Sequence, residues 1–185
     1  MTHTSTDTLP DWPNVPACYG WLSLDARGGW RLKGERVEHG GLLGFLNANY
    51  GSDESGNWLV HNGPQRVFVE LEAAPWILRL LPDDVLLTHS GRPAMADSPV
   101  LVDENGRVSL KTDLGPAAID DRDLAIFLAE LKDEHGHGAD ERTLITLLEG
   151  KSTTPLRWRG LTLGFAPGSE TPGQLGFHRK PVATA

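Results

Sequence analysis

Short stretches of alternating apolar and polar residues dominate the chain, and a few stretches have helical periodicity between them. Strand patterns joined by turn residues predict four hairpins, at 21–33, 58–72, 99–111 and 156–165. Each connecting turn contains a glycine, which adopts the positive φ that tight hairpins need. Two further strands are predicted at 76–80 and 85–89. This pattern is typical of an α+β protein built mostly from antiparallel strands and hairpins.

About three helices are predicted. The clearest has apolar residues at i, i+3, i+4 and i+7, namely Leu124, Phe127, Leu128 and Leu131. Asp120 is placed to cap its N-terminus. The other two helices are predicted over about 41–50 and from Asp140 to Gly150.

The hairpin at 21–33 matches the one at 99–111. Four residues recur 78 positions later with the same identity: Asp25 as Asp103, Gly28 as Gly106, Leu32 as Leu110 and Lys33 as Lys111. The helices that follow match with an offset of 82, so the second copy needs a four-residue insertion, which we place around 115–118. Trp58 and Trp158, each in a later strand pair, lie 100 positions apart, so the second copy must also contain the helix from Asp140.

Two interpretations of this match remain open. Either the chain contains two repeated hairpin–helix–hairpin units, or hairpins and amphipathic helices resemble each other by chance. Residues 17–98 and 99–166 are predicted to be two halves packed as one globular unit, because each alone buries too little apolar surface for independent stability. A ligand cleft at their junction would be natural. Residues 1–16 are predicted to be a flexible arm, and 167–185 an irregular C-terminal tail.

Composition excludes several classes of protein. The formal net charge is −8, and no run of basic residues occurs, so neither nucleic acid nor an anionic membrane is an expected partner. No apolar run is long enough to span a bilayer, and the polar N-terminus does not match a secretory signal. Cys18 is the single cysteine, which excludes an intrachain disulfide and fits a reducing compartment. We therefore expect a soluble cytoplasmic protein.

One hairpin carries the best candidate for a binding site. It combines an aromatic ring, an imidazole, two amides and a guanidinium, on Trp58, His61, Asn62, Gln65 and Arg66. Such a set can hold a planar or anionic ligand by stacking and by fork-like hydrogen bonds. The alternative is an ordinary β-turn whose polar groups face water.

Two other polar clusters have simpler explanations. The three carboxylates within 120–123 could attract a divalent metal, but capping of the following helix accounts for them. His135 and His137 could contribute to a zinc site, yet such a site needs three or four ligands, and a solvated loop is the simpler interpretation. No catalytic residue, metal or cofactor is predicted.

Four strings of residues carry a resemblance to a known group of proteins. They are 19–25, 29–33, 62–71 and 120–124. These strings are similar to an uncharacterised family of proteobacterial cytosolic proteins of comparable length, and the resemblance extends from about Tyr19 to Phe165. It implies a bacterial, cytoplasmic protein of unknown function, and it offers no catalytic residues.

Two hypotheses for function follow. The first is a non-enzymatic module that binds a small molecule or a protein through its aromatic-rich strands or through the cleft between the halves. The second is an enzyme that acts on a small anionic metabolite with the His61–Arg66 hairpin and His89. A pocket containing both His61 and Arg66 would favour the enzyme, whereas a flat Trp-bearing patch would favour the interaction module. Homodimer formation through a sheet edge stays open.

Overall fold

Two mixed sheets form the framework of the computed structural model, which describes residues 12–183. The first sheet has the order β3-β2-β1-β6-β5-β4. Its strands are β1 (Ala17–Leu24), β2 (Trp30–Leu32), β3 (Glu35–Arg36), β4 (Tyr50–Ser52), β5 (Trp58–Asn62) and β6 (Gln65–Leu71). All neighbouring strands in it are antiparallel except β1 and β6, which run parallel.

The second sheet has eight strands, in the order β13-β14-β10-β11-β12-β7-β8-β9. These are β7 (Trp76–Leu80), β8 (Leu86–Thr88), β9 (Pro93–Ala94), β10 (Ala96–Val102), β11 (Val108–Thr112), β12 (Gly115–Ile119), β13 (Arg157–Trp158) and β14 (Leu161–Phe165). Parallel contacts join β10 to β14 and β12 to β7. The fold is α+β with mostly antiparallel strands, which confirms the predicted class.

Four α-helices and one 3₁₀ turn complete the part of the chain that the structure describes. The helices are α1 (Gly40–Ala48), α2 (Leu124–Glu130), α3 (Glu141–Leu148) and α4 (Thr171–Leu175), and the 3₁₀ turn is Asp121–Asp123. Asp120 accepts a hydrogen bond from the Arg122 N–H at 3.0 Å, so it caps the 3₁₀ turn that leads into α2. Asp140 caps α3 in the same way, through the Thr143 N–H at 2.7 Å. None of these helices has the length and apolar character needed to cross a bilayer.

The same strand arrangement occurs twice. We call residues 17–71 the first unit and residues 96–165 the second unit. Each unit begins with three antiparallel strands, β1-β2-β3 or β10-β11-β12. A later hairpin, β5-β6 or β13-β14, then places its second strand parallel to the first strand of the unit. Leu22 pairs with Leu32 and Val69. The matching residues Val100, Leu110 and Leu163 pair in the same way in the second unit. The sequence match at an offset of 78 therefore coincides with a match in register.

The two units differ in the length of their connections. Two residues separate the paired Leu32 and Glu35, whereas six separate the paired Leu110 and Ala117. The four extra residues form two further strand pairs, Lys111 with Pro116 and Thr112 with Gly115, while the loop between the strands keeps two residues. They overlap the predicted position of the insertion, around 115–118, at residues 115 and 116. Gly51 pairs with Leu59 across residues 52–58, but Lys132 pairs with Arg157 across residues 133–156. This longer connection contains α3.

The expected match of Trp58 with Trp158 is wrong in register. Trp158 pairs with Leu161, two residues before the Leu163 that matches Val69. The residue two positions before Val69 is Val67, and it pairs with Val60. Val60 is therefore the position that matches Trp158, and Trp58 lies two residues earlier in its strand.

Apolar side chains from both units belong to one hydrophobic cluster. Its aromatic part is centred on Tyr50, whose ring centroid lies 5.0 Å from those of Trp30 and Trp58 and 5.2 Å from that of Trp76. The buried Tyr50 hydroxyl donates a hydrogen bond to the Pro75 carbonyl at 3.0 Å. Because Trp76 lies on β7, these aromatic contacts join the two sheets.

The C-terminal stretch differs from the irregular tail that its composition predicts. It contains α4, and Leu175 and Phe177 are only 3% and 2% exposed. Beyond α4 the chain crosses to the first unit, where the Arg179 carbonyl accepts a hydrogen bond from the Leu71 N–H at 2.7 Å. Two buried apolar side chains and backbone hydrogen bonds to distant residues thus hold this segment, and the many surrounding Pro, Gly, Ser and Thr residues obscure these features in the sequence. The predicted N-terminal arm lies mostly outside the described residues.

We expect Gly28→Ala to destabilise the protein more than Gly106→Ala. Both glycines have a positive φ at matching turn positions, +79° and +77°. A Cβ at Gly28 would lie 2.3 Å from the His89 Cβ, whereas at Gly106 the nearest atom is Leu148 Cδ2 at 4.0 Å. Gly106→Ala should cost about 1–2 kcal/mol of backbone strain. Gly28→Ala should cost about 2–5 kcal/mol, because steric overlap is added. Urea unfolding of both variants measures this difference, and equal losses would contradict the steric argument.

Candidate functional site

The β5–β6 hairpin brings together only part of the predicted binding site. His61 and Arg66 are exposed and lie directly opposite each other in the strand pair. Trp58 is only 5% exposed. Because it lies three positions before His61 in the same strand, its side chain points to the opposite face. There its ring contacts Tyr50 and Trp76.

The remaining members of the set hold the chain in place. The Gln65 amide donates hydrogen bonds to the carbonyls of Pro13 and Val15 at 2.6 and 2.7 Å. Asn62 in turn donates to the Gln65 side-chain oxygen at 3.2 Å. The Arg66 guanidinium lies 5.5 Å from the centroid of the Phe68 ring. The proposed role of these five residues as one site stays a prediction.

Each carboxylate of 120–123 is bound by an arginine. The three pairs are Asp120 with Arg122, Asp121 with Arg27, and Asp123 with Arg79. The side-chain hydrogen bonds from Arg79 lower the pKa of the nearly buried Asp123, which also accepts the Leu80 N–H at 2.8 Å. Within residues 12–183, no group of three or more His, Cys, Asp or Glu side chains is placed to hold a metal ion. This corner therefore links the 3₁₀ turn to β7 and to the β1–β2 turn.

His135 and His137 lie in a turn that their own backbone organises. Their N–H groups donate to one oxygen of Asp133, each at 2.8 Å. Both imidazoles are strongly exposed, with 70% and 78% of their side chains accessible. This geometry is that of a solvated Asx turn.

A polar cleft of about 480 Å³ lies beside the arginine–carboxylate corner. It is bounded by the β1–β2 turn, β2, β3 and the 3₁₀ turn, so it lies at the junction of the two units. Its charged lining comprises Asp25, Arg27, Arg31, Arg36, Glu72, Asp121 and Arg122. We call this region the arginine cleft. Four guanidinium groups outnumber three carboxylates here, although the whole chain has a net charge of −8.

Two of these arginines face each other across the β2–β3 pair. Arg31 and Arg36 are direct partners in the antiparallel register, so their Cβ atoms lie about 5 Å apart on one face. Arg31 contacts Asp25 at 3.3 Å and the Gly34 carbonyl at 3.2 Å. The exposed Arg36 has no ion pair or side-chain hydrogen bond with another described residue. Like charges at such positions destabilise a strand pair, so the sheet gains nothing from them.

The turn below the cleft is held from both sides. One Asp25 oxygen accepts hydrogen bonds from the N–H groups of Arg27 and Gly29, at 3.0 and 2.7 Å. Glu72 accepts the Ala26 N–H at 3.1 Å. A second recess of about 240 Å³ continues past Glu72 to Arg179 and Lys180 in the C-terminal segment. Basic side chains from three distant parts of the chain thus meet at one place.

His89 supports this turn from the interior. Its Nδ1 accepts the Ile77 N–H at 3.3 Å, so the proton of the neutral ring lies on Nε2. That Nε2 is buried and has no hydrogen-bond partner among the described residues. The rings of Trp30, Tyr50 and Trp76 lie within about 6 Å of the imidazole. Burial lowers the pKa of His89 to about 4, and the nearby charge of Asp25 opposes this shift only partly.

The sequence argument did not select the arginines of the cleft. They are separated along the chain, and none belongs to a known motif. One signal could have found them: Arg31 and Arg36 flank a turn at Lys33 and Gly34, and a hairpin with that two-residue loop places them opposite each other.

Comparison with known protein families gives one match. A family model, DUF2944, described as "Protein of unknown function (DUF2946)", matches residues 1–182. The chain belongs to this family. Among curated proteins, no match to it was found.

Two solved structures resemble this member of the DUF2944 family. A DUF1285 family protein from Silicibacter pomeroyi DSS-3 aligns with a TM-score of 0.53 and 12% identity, over 84% of each chain. A second DUF1285 family protein, from Shewanella baltica OS155, aligns with a TM-score of 0.41 and 14% identity, over 58% of this chain and 89% of the other. At this identity the first similarity concerns the fold alone.

We expect the stability that His89 contributes to depend on pH. The pKa of His89 is about 4 in the folded protein and about 6.5 when unfolded. The unfolded state therefore binds more protons between these values, so stability is fully present above pH 6.5 and falls as the pH decreases toward 4. His89→Asn keeps an acceptor near the Ile77 N–H but does not titrate there. The difference in unfolding free energy between wild type and variant should shrink over this window, and parallel profiles would refute the assignment.

Proposed function

We propose that this protein is a bacterial cytoplasmic binding protein that holds a small anionic molecule in the arginine cleft. The observation that carries the proposal is the pairing of Arg31 with Arg36, in which Arg36 has no carboxylate partner among the described residues. A carboxylate or phosphate group placed between them would receive hydrogen bonds from both guanidinium groups.

The second unit supports this interpretation by comparison. At the positions that match Arg31 and Arg36 it has Ser109 and Ala118, which pair in the same antiparallel manner. These two residues are small and buried, at 3% and 1% exposure. The strand arrangement therefore forms without arginine at either position, so folding does not account for the two guanidinium groups of the first unit.

The chemistry of the cleft favours binding over catalysis. Asp25 and Glu72 already accept backbone N–H groups of the turn, which leaves their carboxylates in structural roles. Arg27 and Arg122 are engaged with Asp121 and Asp120. Arg36 and part of Arg31 remain as donors for a ligand, and the engaged pairs hold the surrounding walls in place.

The similar register of the two units supports a further part of the proposal, that they arose by internal duplication. The resemblance of the sequence to proteobacterial proteins supports a proteobacterial origin. A cleft at their junction would then be a property of the joined pair. The facing pair Arg31 and Arg36 occurs in the first unit only, since Ser109 and Ala118 stand at the matching positions of the second, so the two copies would differ in this binding role.

An enzyme acting on a small anionic metabolite is the second candidate. The exposed His61 and Arg66 lie directly opposite each other and could serve as a proton-transfer group and an anion contact. This candidate has less support, because the buried Trp58 lies on the opposite face of the strand and does not join them.

We expect anions to stabilise the protein through Arg36. Thermal unfolding would be measured with phosphate, pyrophosphate, citrate and a nucleoside monophosphate, each at increasing concentration. A ligand at about 100 times its Kd stabilises by about 2.7 kcal/mol, which raises the Tm of a chain of this size by roughly 5–10 °C. Arg36→Gln should weaken binding at least about tenfold, as one lost charged hydrogen bond does. The exposed Arg157 on β13 supplies a matched control, Arg157→Gln.

Three outcomes decide between the candidates. A shift that Arg36→Gln abolishes and Arg157→Gln preserves supports the arginine cleft. A shift abolished by Arg66→Gln and preserved by Arg36→Gln supports the β5–β6 hairpin instead. If none of the anions shifts the Tm, or if all three variants respond equally, specific anion binding is refuted.

A further inference from the structure

An apolar groove lies on the helical part of the second unit. It has a volume of about 160 Å³ and lies between α2, α3 and the β10–β11 turn. Its floor is formed by Val102, Val108, Phe127, Leu131 and Leu147. An apolar cavity of about 150 Å³ accommodates a benzene-sized group, so this groove has room for one large apolar side chain.

The rim of the groove exposes an unusual amount of aliphatic surface. Leu128 and Leu148 line it and are 47% and 36% exposed. Ile126 and Ile145, on the same two helices but outside the lining of the groove, are 45% and 49% exposed. Isolated exposed aliphatic residues need no explanation, but two at the edge of an apolar groove are typical of an interaction surface.

The fold itself does not require this groove. One wall of the groove is α3, which lies in the connection 133–156 of the second unit. The first unit makes the matching connection with residues 52–58 alone and has no such helix. The additional residues thus build a helix whose outer face stays exposed. A contribution to binding explains that surface, whereas a contribution to the core does not.

The charge around the groove selects its partner. The segment from Asp120 to Glu149 contains the 3₁₀ turn and both helices with their caps. It has nine carboxylates and three basic residues, which gives a net charge of −6. Arginines from elsewhere pair with Asp121, Asp123 and Glu130. The acidic residues of 133–141 have no such arginine. A second copy of the chain would bring the same acidic residues of 133–141 to the interface, and like charges facing each other across an interface cost affinity.

We propose that the groove between α2 and α3 binds an amphipathic helix of another protein, with lysine or arginine on its polar face and one large apolar side chain in the groove. Helices dock in this way through apolar residues at i, i+3 or i+4, and i+7. The basic face meets the acidic residues beside α3. This surface is separate from the arginine cleft, and the proposal does not depend on anion binding there.

A pair of designed peptides tests the proposal. Both are labelled with fluorescein, about 18 residues long so that they form a helix, and carry the same Leu and Phe face. One has lysine and the other glutamate on the polar face. Fluorescence anisotropy with the full chain should show the lysine peptide binding at least about tenfold more tightly than the glutamate peptide. Its affinity should fall as salt is raised from 0.05 to 0.5 M, roughly a threefold change in screening length.

Variants separate the groove from general attraction to an acidic protein. Leu128→Gln together with Leu148→Gln should reduce binding of the lysine peptide about tenfold, while thermal unfolding stays close to wild type because both side chains are largely exposed. Met95→Gln, at a residue 69% exposed and away from the groove, is the matched control. Equal binding of both peptides, no binding, or equal effects of the double variant and Met95→Gln would overturn the proposal. So would a dimer in sedimentation analysis that the double variant dissociates, because the occupant would then be a second copy.

Discussion

The parallel pairing of β1 with β6, repeated by β10 with β14, is the constraint on which the rest of the structure depends. Two parallel strands cannot be joined by a tight turn, so the intervening chain must leave the pair and return. In the first unit that chain supplies β2, β3, α1, β4 and β5; in the second unit it supplies β11, β12, α2, α3 and β13. Both candidate surfaces lie on these intervening segments, and the paired strands hold them at fixed positions.

A shared strand arrangement with different surroundings explains why the two units differ chemically. The β11–β12 pair lies inside a sheet of eight strands, beside β7, and its residues Ser109 and Ala118 are buried there, where an arginine side chain would have no access to solvent. The matching β2–β3 pair is at the edge of a six-stranded sheet, where arginine side chains reach solvent. Position in the sheet, and not local sequence, therefore determines which unit can offer guanidinium groups to a ligand.

Much of the fold could be predicted from local signals. Glycines at turns located the four hairpins, and Asp120 and Asp140 located two helix starts. Strands β4 and β12 escaped prediction: the first is three residues long, and the second, Gly115–Ile119, lacks the β-branched and aromatic residues typical of strands until its end. The parallel contacts escaped as well, because they join residues far apart in the chain and leave no local pattern.

The site was less accessible to prediction than the fold. Trp58 and His61 are three positions apart in one strand, and the period of two already places them on opposite faces. Arg27 and Asp121 meet across 94 positions, so no motif contains both. Local chemistry identified a plausible hairpin, whereas the arrangement that gathers four arginines arises only from the packing of the two units.

The C-terminal crossing affects how the protein is made. The Arg179 side chain reaches back to the Ala73 carbonyl over 106 positions, and Leu175 and Phe177 complete the interior near it. A nascent chain whose second unit is still inside the ribosome therefore lacks the residues that finish the first. Residues 175–179 thus couple the packing of both units, so a segment that is made late contributes contacts to the strands that are made first.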